Sequence, residues 1–159
     1  MLSDHEVVIR SGRLLRDVFF GVLTTVDTHG MPHSRYMGAS PLADGLNKLY
    51  TFTCRDSRKL EHLSVNPCVS WAFVDDRYDE AVSLTGRAMV DVSPLITQQV
   101  WDRLSDCARQ YCMRALGSQD RAEFVVIETH VETVAYLATA RGIVQPLVVS
   151  LVGLKPAGA

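Results

Sequence analysis

This sequence of 159 residues is short of the features that most readily betray a function. Its four cysteines, Cys54, Cys68, Cys107 and Cys112, form no CxxC pair and share no ligand spacing with histidine, which excludes a zinc module and predicts free thiols. The five histidines, His5, His29, His33, His62 and His130, have no metal spacing among themselves and read as surface or turn residues. Neither sign of charge dominates: 16 Lys and Arg face 18 Asp and Glu, a net charge of -2, which gives no electrostatic case for nucleic acid or an anionic membrane. No apolar run is long enough to span a bilayer, since the longest, Ile143 to Leu154, is interrupted by Gln145, Pro146 and Ser150. The first sixteen residues are charged and polar throughout and predict no secretory signal, so a cytoplasmic location is expected. No repeat, low-complexity tract or linker appears, so a single domain over residues 1–159 is expected. No Ser/His/Asp set or carboxylate pair suggests a catalytic constellation.

What is present is a succession of short strands. Ser3 with Glu6 predicts a capping box opening a helix over residues 3–17. Phe19 to Val26 and Pro32 to Ala39 read as a hairpin around the turn signal Asp27-Thr-His-Gly30. After the turn signal Asp44-Gly45, Leu49 to Thr53 reads as a third strand, and a short helix from Ser57 to Ser64 is stopped by Asn66-Pro67. Cys68 to Val74 alternates with Trp71 and Phe73 on one face. Ala81 to Val92 is a long strand in which Gly86 signals a bulge or a close backbone approach. Val100, Leu104, Ala108 and Tyr111 recur at helical spacing in one helix from Ser93-Pro94 through Cys112, broken by Gly117. Glu123 to Thr129 and Glu132 to Ala138 read as two further strands, and the tail from Arg141 is apolar but unpatterned. About seven strands and three helices, in hairpin-connected runs, predict a mainly β fold: an antiparallel barrel with flanking helices.

One junction carries chemistry. The run Leu49-Tyr-Thr-Phe-Thr-Cys-Arg-Asp-Ser-Arg-Lys-Leu60 places Ser57, Arg58 and Lys59 where a strand hands over to a helix. A helix start offers unpaired N–H groups and a partial positive charge, which suit a phosphate. Arg58 adds a planar fork and Lys59 a point charge. Arg35, on the returning strand of the hairpin, is a third candidate cation. Cys54 adjoins this junction and reads as a small filler, and Trp101 as packing for its helix.

Three blocks, taken in order, resemble the pyridoxamine-phosphate-oxidase-like, FMN-binding split barrels. They are Gly21-Val-Leu-Thr-Thr-Val-Asp with Gly30-Met-Pro-His-Ser-Arg-Tyr-Met37, then Leu49 to Thr53 with Asp56-Ser-Arg-Lys-Leu60 and Asn66-Pro67, then Val82-Ser-Leu-Thr-Gly-Arg-Ala88. The chain is most similar to the short general-stress-protein branch, over residues 5–139. The resemblance implies FMN held at a homodimer interface. Arg35 and Lys59 would bind its phosphate, helped by Ser57 and Arg58. Tyr36 and Met37 would line the flavin, and Phe52 and Thr53 would meet its ring edge or ribityl chain. It also implies an oxidoreductase passing electrons from a nicotinamide cofactor, NAD(P)H, to a small-molecule acceptor. Flavin storage without turnover, or a related barrel holding the deazaflavin F420 or heme, are the alternatives. Two departures argue against a true pyridoxamine phosphate oxidase: Ser40 stands where the oxidases carry a lysine, and the tail lacks their basic, tryptophan-containing end.

Overall fold

The computed structural model describes residues 2–41, 45–117 and 123–154. Asp44 of the turn signal and the last five residues of the tail lie outside them. In chain order the elements are α1 (Asp4–Asp17), β1 (Phe20–Val26), β2 (Pro32–Gly38), β3 (Lys48–Cys54), α2 (Arg58–Val65), β4 (Cys68–Val74), β5 (Glu80–Asp91), α3 (Pro94–Arg103), α4 (Asp106–Leu116), β6 (Phe124–Ala138) and β7 (Ile143–Ser150). The fold is a mainly antiparallel β barrel with four α-helices among the described residues, as the sequence led one to expect of its class.

The strands run in the order β2-β1-β4-β5-β6-β3, with β7 added on β6. The two ends of that path approach where Ser40 bridges Tyr50, so the sheet nearly closes on itself. Inside lies a core that includes Leu23, Trp71, Phe73, Leu84 and Tyr136, joined by Val7, Leu14 and Leu15 from α1. Trp71 and Phe73 stack at 5.7 Å, on the inward face that their alternation assigned to them. The indole N–H of Trp71 donates to the Thr129 hydroxyl at 3.2 Å, which satisfies the one polar atom of a buried ring. A second core lies outside the barrel wall, where Tyr50, Phe52, Phe124 and Val126 meet Val100 of α3, Leu104 of the link after it, and Ala108 and Cys112 of α4.

Three expectations need correction. The helix read as continuous through Cys112 is two helices. Leu104 is extended, and Ser105 caps α4 by accepting from the Ala108 N–H at 3.2 Å. The Ser-Asp pair competes with helix continuation and wins, because it satisfies the new helix start. The apolar spacing survives, since the same residues face the same cluster. Second, residues 123–138 hold one 15-residue strand, not two. A register shift between Thr85 and Gly86 leaves Glu132 as the extra residue of a bulge, and the inward-outward phase slips there. That slip mimics a gap in the sequence pattern. Third, the unpatterned tail forms β7, an edge strand whose residues are mostly exposed and therefore show no alternation.

The bulge explains Gly86. A Cβ at that position would lie 2.0 Å from the His130 carbonyl oxygen, a backbone atom that cannot step aside. Gly86→Ala should therefore destabilise the protein by about 2–4 kcal/mol. The measurement is the midpoint of urea unfolding followed by tryptophan fluorescence; an unchanged midpoint would show that the two backbones can separate freely.

Candidate functional site

Two separate stretches, one on β2 and one at the start of α2, meet at one open cleft of about 240 Å3 lined by His33, Ser34, Arg35, Ser57, Arg58, Lys59 and His62. Strand alternation on β2 sends His33, Arg35 and Met37 to one side and Ser34 and Tyr36 to the other. Arg35 pairs in register with Leu23 of β1. Its Nη1 donates to the Thr25 hydroxyl at 2.8 Å and to the Leu23 carbonyl at 3.3 Å. Lys59 reaches back from the first turn of α2 to the end of β3, donating to the Thr53 hydroxyl at 2.9 Å and the Ser57 hydroxyl at 2.5 Å.

Ser57 is the N-cap residue of α2, yet its side chain makes no capping bond to the helix N–H groups. Its oxygen accepts from Lys59 instead. By contrast, Ser3 closes a full capping box on α1. The first turn of α2 thus keeps N–H donors without a side-chain acceptor, beside three cations. Arg58 is exposed and makes no hydrogen bond or ion pair among the described residues.

The electrostatics are those of a site held ready for an anion. Burial depresses the Arg35 guanidinium below its ordinary range, and the neighbouring Arg58 depresses it further. Burial also depresses the Lys59 ammonium, with Arg35 adding to the effect. Among the described residues no carboxylate lies within ion-pair distance of Arg35, Arg58 or Lys59. Partly desolvated like charges facing neutral oxygens are costly unless something of opposite sign arrives.

The remaining candidates are distributed differently. Thr53 is buried as a hydrogen-bond partner of Lys59 and does not itself line the cleft. Tyr36 projects into solvent. Met37 packs against the barrel core, and Phe52 lies in the outer core with its ring 5.8 Å from that of Trp101. Neither Met37 nor Phe52 lines the cleft. Cys54 is half-buried, with its thiol 3.6 Å from the Leu116 carbonyl.

Reading the histidines as surface residues missed two members of the site. His62, on α2, bonds through Nδ1 to the Thr25 hydroxyl at 2.9 Å, and its ring lies 4.9 Å from that of His33. His33 in turn bonds through Nε2 to Asp27 at 2.9 Å. No sequence spacing links these residues, because three elements bring them together. A second polar group sits elsewhere on the sheet: the nearly buried Glu128 accepts from Lys48 at 2.6 Å and from His130. Tyr50 also bonds to it, and burial, then Glu128 itself, push the phenol up to about 12. Lys48, Tyr50 and His130 outweigh the burial that would raise Glu128 and hold its carboxyl below the usual range.

A family model for pyridoxamine 5'-phosphate oxidase matches residues 12–138, most of the chain. The chain belongs to the pyridoxamine 5'-phosphate oxidase-like, FMN-binding split barrel family. Solved structures carry the same fold. A protein from Clostridium acetobutylicum, related to general stress protein 26 of Bacillus subtilis, is 19% identical, with a TM-score of 0.73 over 96% of this chain and 99% of that one. A pyridoxamine 5'-phosphate oxidase-related, FMN-binding protein of Nostoc punctiforme is 16% identical, with a TM-score of 0.65 over 93% of each. An F420 reductase is 18% identical, with a TM-score of 0.58 over 77% of this chain and 93% of that one. At these identities the likeness is one of fold. No curated protein matches the sequence. Among the described residues no group of side chains could hold a metal ion, and no helix is long and apolar enough to cross a membrane.

The rim of the cleft makes its own pH prediction. The hydrogen bond from His33, then the backbone N–H of Met31, hold the Asp27 carboxyl at about 2, below its ordinary 3.8. A depressed carboxyl contributes stability above its unfolded value and loses it as the pH falls from about 3.8 to about 2. Carbon-detected NMR should find the Asp27 midpoint near 2, and His33→Asn should move it up toward 3.8. A midpoint unmoved by that change would deny His33 its part.

Proposed function

We propose that this protein binds FMN with the phosphate in the Arg35–Lys59 cleft and works as an FMN-dependent oxidoreductase. One observation carries the reading: Arg35 and Lys59, both partly buried, face one cleft and have only neutral oxygens as hydrogen-bond partners among the described residues. A phosphate there would meet the Arg35 fork, the Lys59 ammonium, the exposed Arg58 and the free N–H groups of the α2 first turn. The Ser57 hydroxyl would turn its proton toward the same oxygen atoms, because its lone pairs already accept from Lys59. Family membership supplies the flavin; the cleft supplies the reason for the phosphorylated form.

When bound, FMN supplies hydride and single-electron transfer, so the chain itself need provide only position and charge. In this reading Thr53, buried beneath Lys59, would lie close to the flavin beyond its phosphate, while Tyr36, exposed on the opposite face of the strand that carries Arg35, would meet it only from that other side. NAD(P)H is the proposed donor and a small molecule the acceptor. Pyridoxamine phosphate is not the proposed substrate, since Ser40 adds no cation where true oxidases carry one and instead bridges β3 through its backbone. We further propose a homodimer. The exposed apolar side chains of Met89, Val92 and Leu95 succeed one another from the end of β5 into α3 and would be covered by a second copy.

Lys59→Ala and Arg35→Ala should each weaken FMN binding about 10- to 100-fold, the effect of losing a hydrogen bond to a charged group. Riboflavin, which lacks the phosphate, should bind the variants as it binds the unaltered protein. Fluorescence quenching of the flavin gives both affinities. Wild-type FMN affinity in both variants would remove the phosphate from this cleft. The absorption spectrum of the purified protein separates FMN from F420 and from heme, and NAD(P)H consumption by the loaded protein separates turnover from storage. Sedimentation equilibrium should give twice the mass of one chain, with Leu95→Asp shifting it toward one; a monomer at micromolar concentration would dismiss the pairing.

A further inference from the structure

The cleft holds more than fixed cations. Thr25 is fully buried, and its hydroxyl stands between the Arg35 guanidinium at 2.8 Å and His62 Nδ1 at 2.9 Å. Arg35 can only donate, so it occupies one lone pair of that oxygen. The hydroxyl proton and the second lone pair remain for His62. A neutral imidazole accepts the Thr25 proton at Nδ1 and carries its own proton on Nε2. A protonated imidazole donates from Nδ1 into the second lone pair once the hydroxyl turns. Thr25 thus gives His62 Nδ1 a partner in either charge state. His62 Nε2 has no partner among the described residues, and the ring forms part of the cleft wall.

We propose that His62, backed by His33, is a protonatable wall of this cleft that takes up a proton when a doubly charged phosphate monoester enters, and that selects such an ester over a singly charged phosphodiester. The inference rests on the phosphate placement above and adds to it the charge state of the ligand. Groups facing His62 come from every neighbouring element: Thr25 on β1, His33 and Arg35 on β2, Asp27 in the hairpin turn, and Arg58, Lys59 and Glu61 on its own helix. Burial first, then His33 and Arg35, hold the imidazole below its ordinary range; Asp27 and Glu61 oppose them. On balance these groups disfavour the charged imidazole. A dianion changes the balance, since it offsets Arg35, Arg58 and Lys59 together and adds attraction for one more positive charge.

The sign follows from linkage. A group whose pKa rises on binding strengthens binding at low pH, and that strength is lost as pH rises through the value in the complex. Phosphate monoesters themselves gain a proton below about pH 6, so affinity should peak between the two titrations and fall on both sides. A diester carries one charge throughout and should show a much flatter profile.

Two measurements test this. The first follows the His62 ring by NMR, assigned through His62→Gln, with sulfate as a fixed dianion and dimethyl phosphate as a fixed monoanionic diester. Saturating sulfate should raise the His62 midpoint by a unit or more, and dimethyl phosphate by much less. An equal response to both, or none to sulfate, overturns the proposal. The second is calorimetry of FMN binding near pH 7.5 in buffers of different ionisation heat. Wild type should take up a substantial fraction of one proton, and His62→Gln should retain binding with that uptake removed. FMN bound without uptake, beside an unmoved His62 midpoint, ends this inference and leaves the proposed function standing. FMN that fails to bind while sulfate still raises the midpoint ends the proposed function and leaves this inference standing.

Discussion

The constraint on which the site depends is the crowding of like charge. Arg35 and Lys59 come from different elements, lie partly out of water, and each depresses or is depressed by a neighbouring cation. A surface arginine and a surface lysine would drift apart into solvent at little cost. These two are held in place by oxygen atoms of the scaffold: Leu23 and Thr25 for one, Thr53 and Ser57 for the other. The scaffold thereby keeps two cations facing the same small volume without neutralising either. That arrangement costs the protein a little stability and would favour a complex with an anion. It is preorganisation expressed as electrostatics.

The barrel makes such placement possible through one strand. β6 pairs with β5 along nearly its whole length, while its first half carries β3 and its second half carries β7. A flat strand of fifteen residues could not follow a closing barrel. The bulge opposite Gly86 bends it and increases its local twist. β3 then returns toward β2, where Ser40 bridges Tyr50, so that the end of β3 and the start of α2 arrive beside Arg35. The cationic cleft and the bulge are therefore parts of one geometric solution, although no residue is shared between them.

How much of this could be read in the sequence depended on range. The strand-to-helix junction was legible because Thr53, Ser57, Arg58 and Lys59 are neighbours in the chain and obey local rules. Gly86 was legible because its lack of a side chain in a long strand demands a reason. The break at Ser105 was overridden in the reading by four apolar residues at helical spacing, which were correctly grouped but wrongly joined. β7 could not be found, since an edge strand with both faces mostly exposed has no period to detect. The histidine wall was hidden for a different reason. Thr25 and His62 lie 37 positions apart. Only the packing of α2 against the β1–β2 hairpin makes them neighbours.

That last point bears on how one fold accommodates several cofactors. A grip built from a guanidinium, an ammonium and a helix start recognises phosphate as such and ignores what is attached to it. Discrimination must come from residues whose contribution depends on the ligand's charge or shape. In this chain Arg35, Arg58 and Lys59 carry the fixed charge, whereas Thr25, His33 and His62 form a second set, in which the buried Thr25 hydroxyl bonds His62 and the His33 ring lies beside that of His62. Changes at these three positions could retune the charge preference of the cleft while leaving Arg35 and Lys59 in place. A scaffold divided in this way can keep its anchor and vary its selectivity, because the two tasks fall to different side chains.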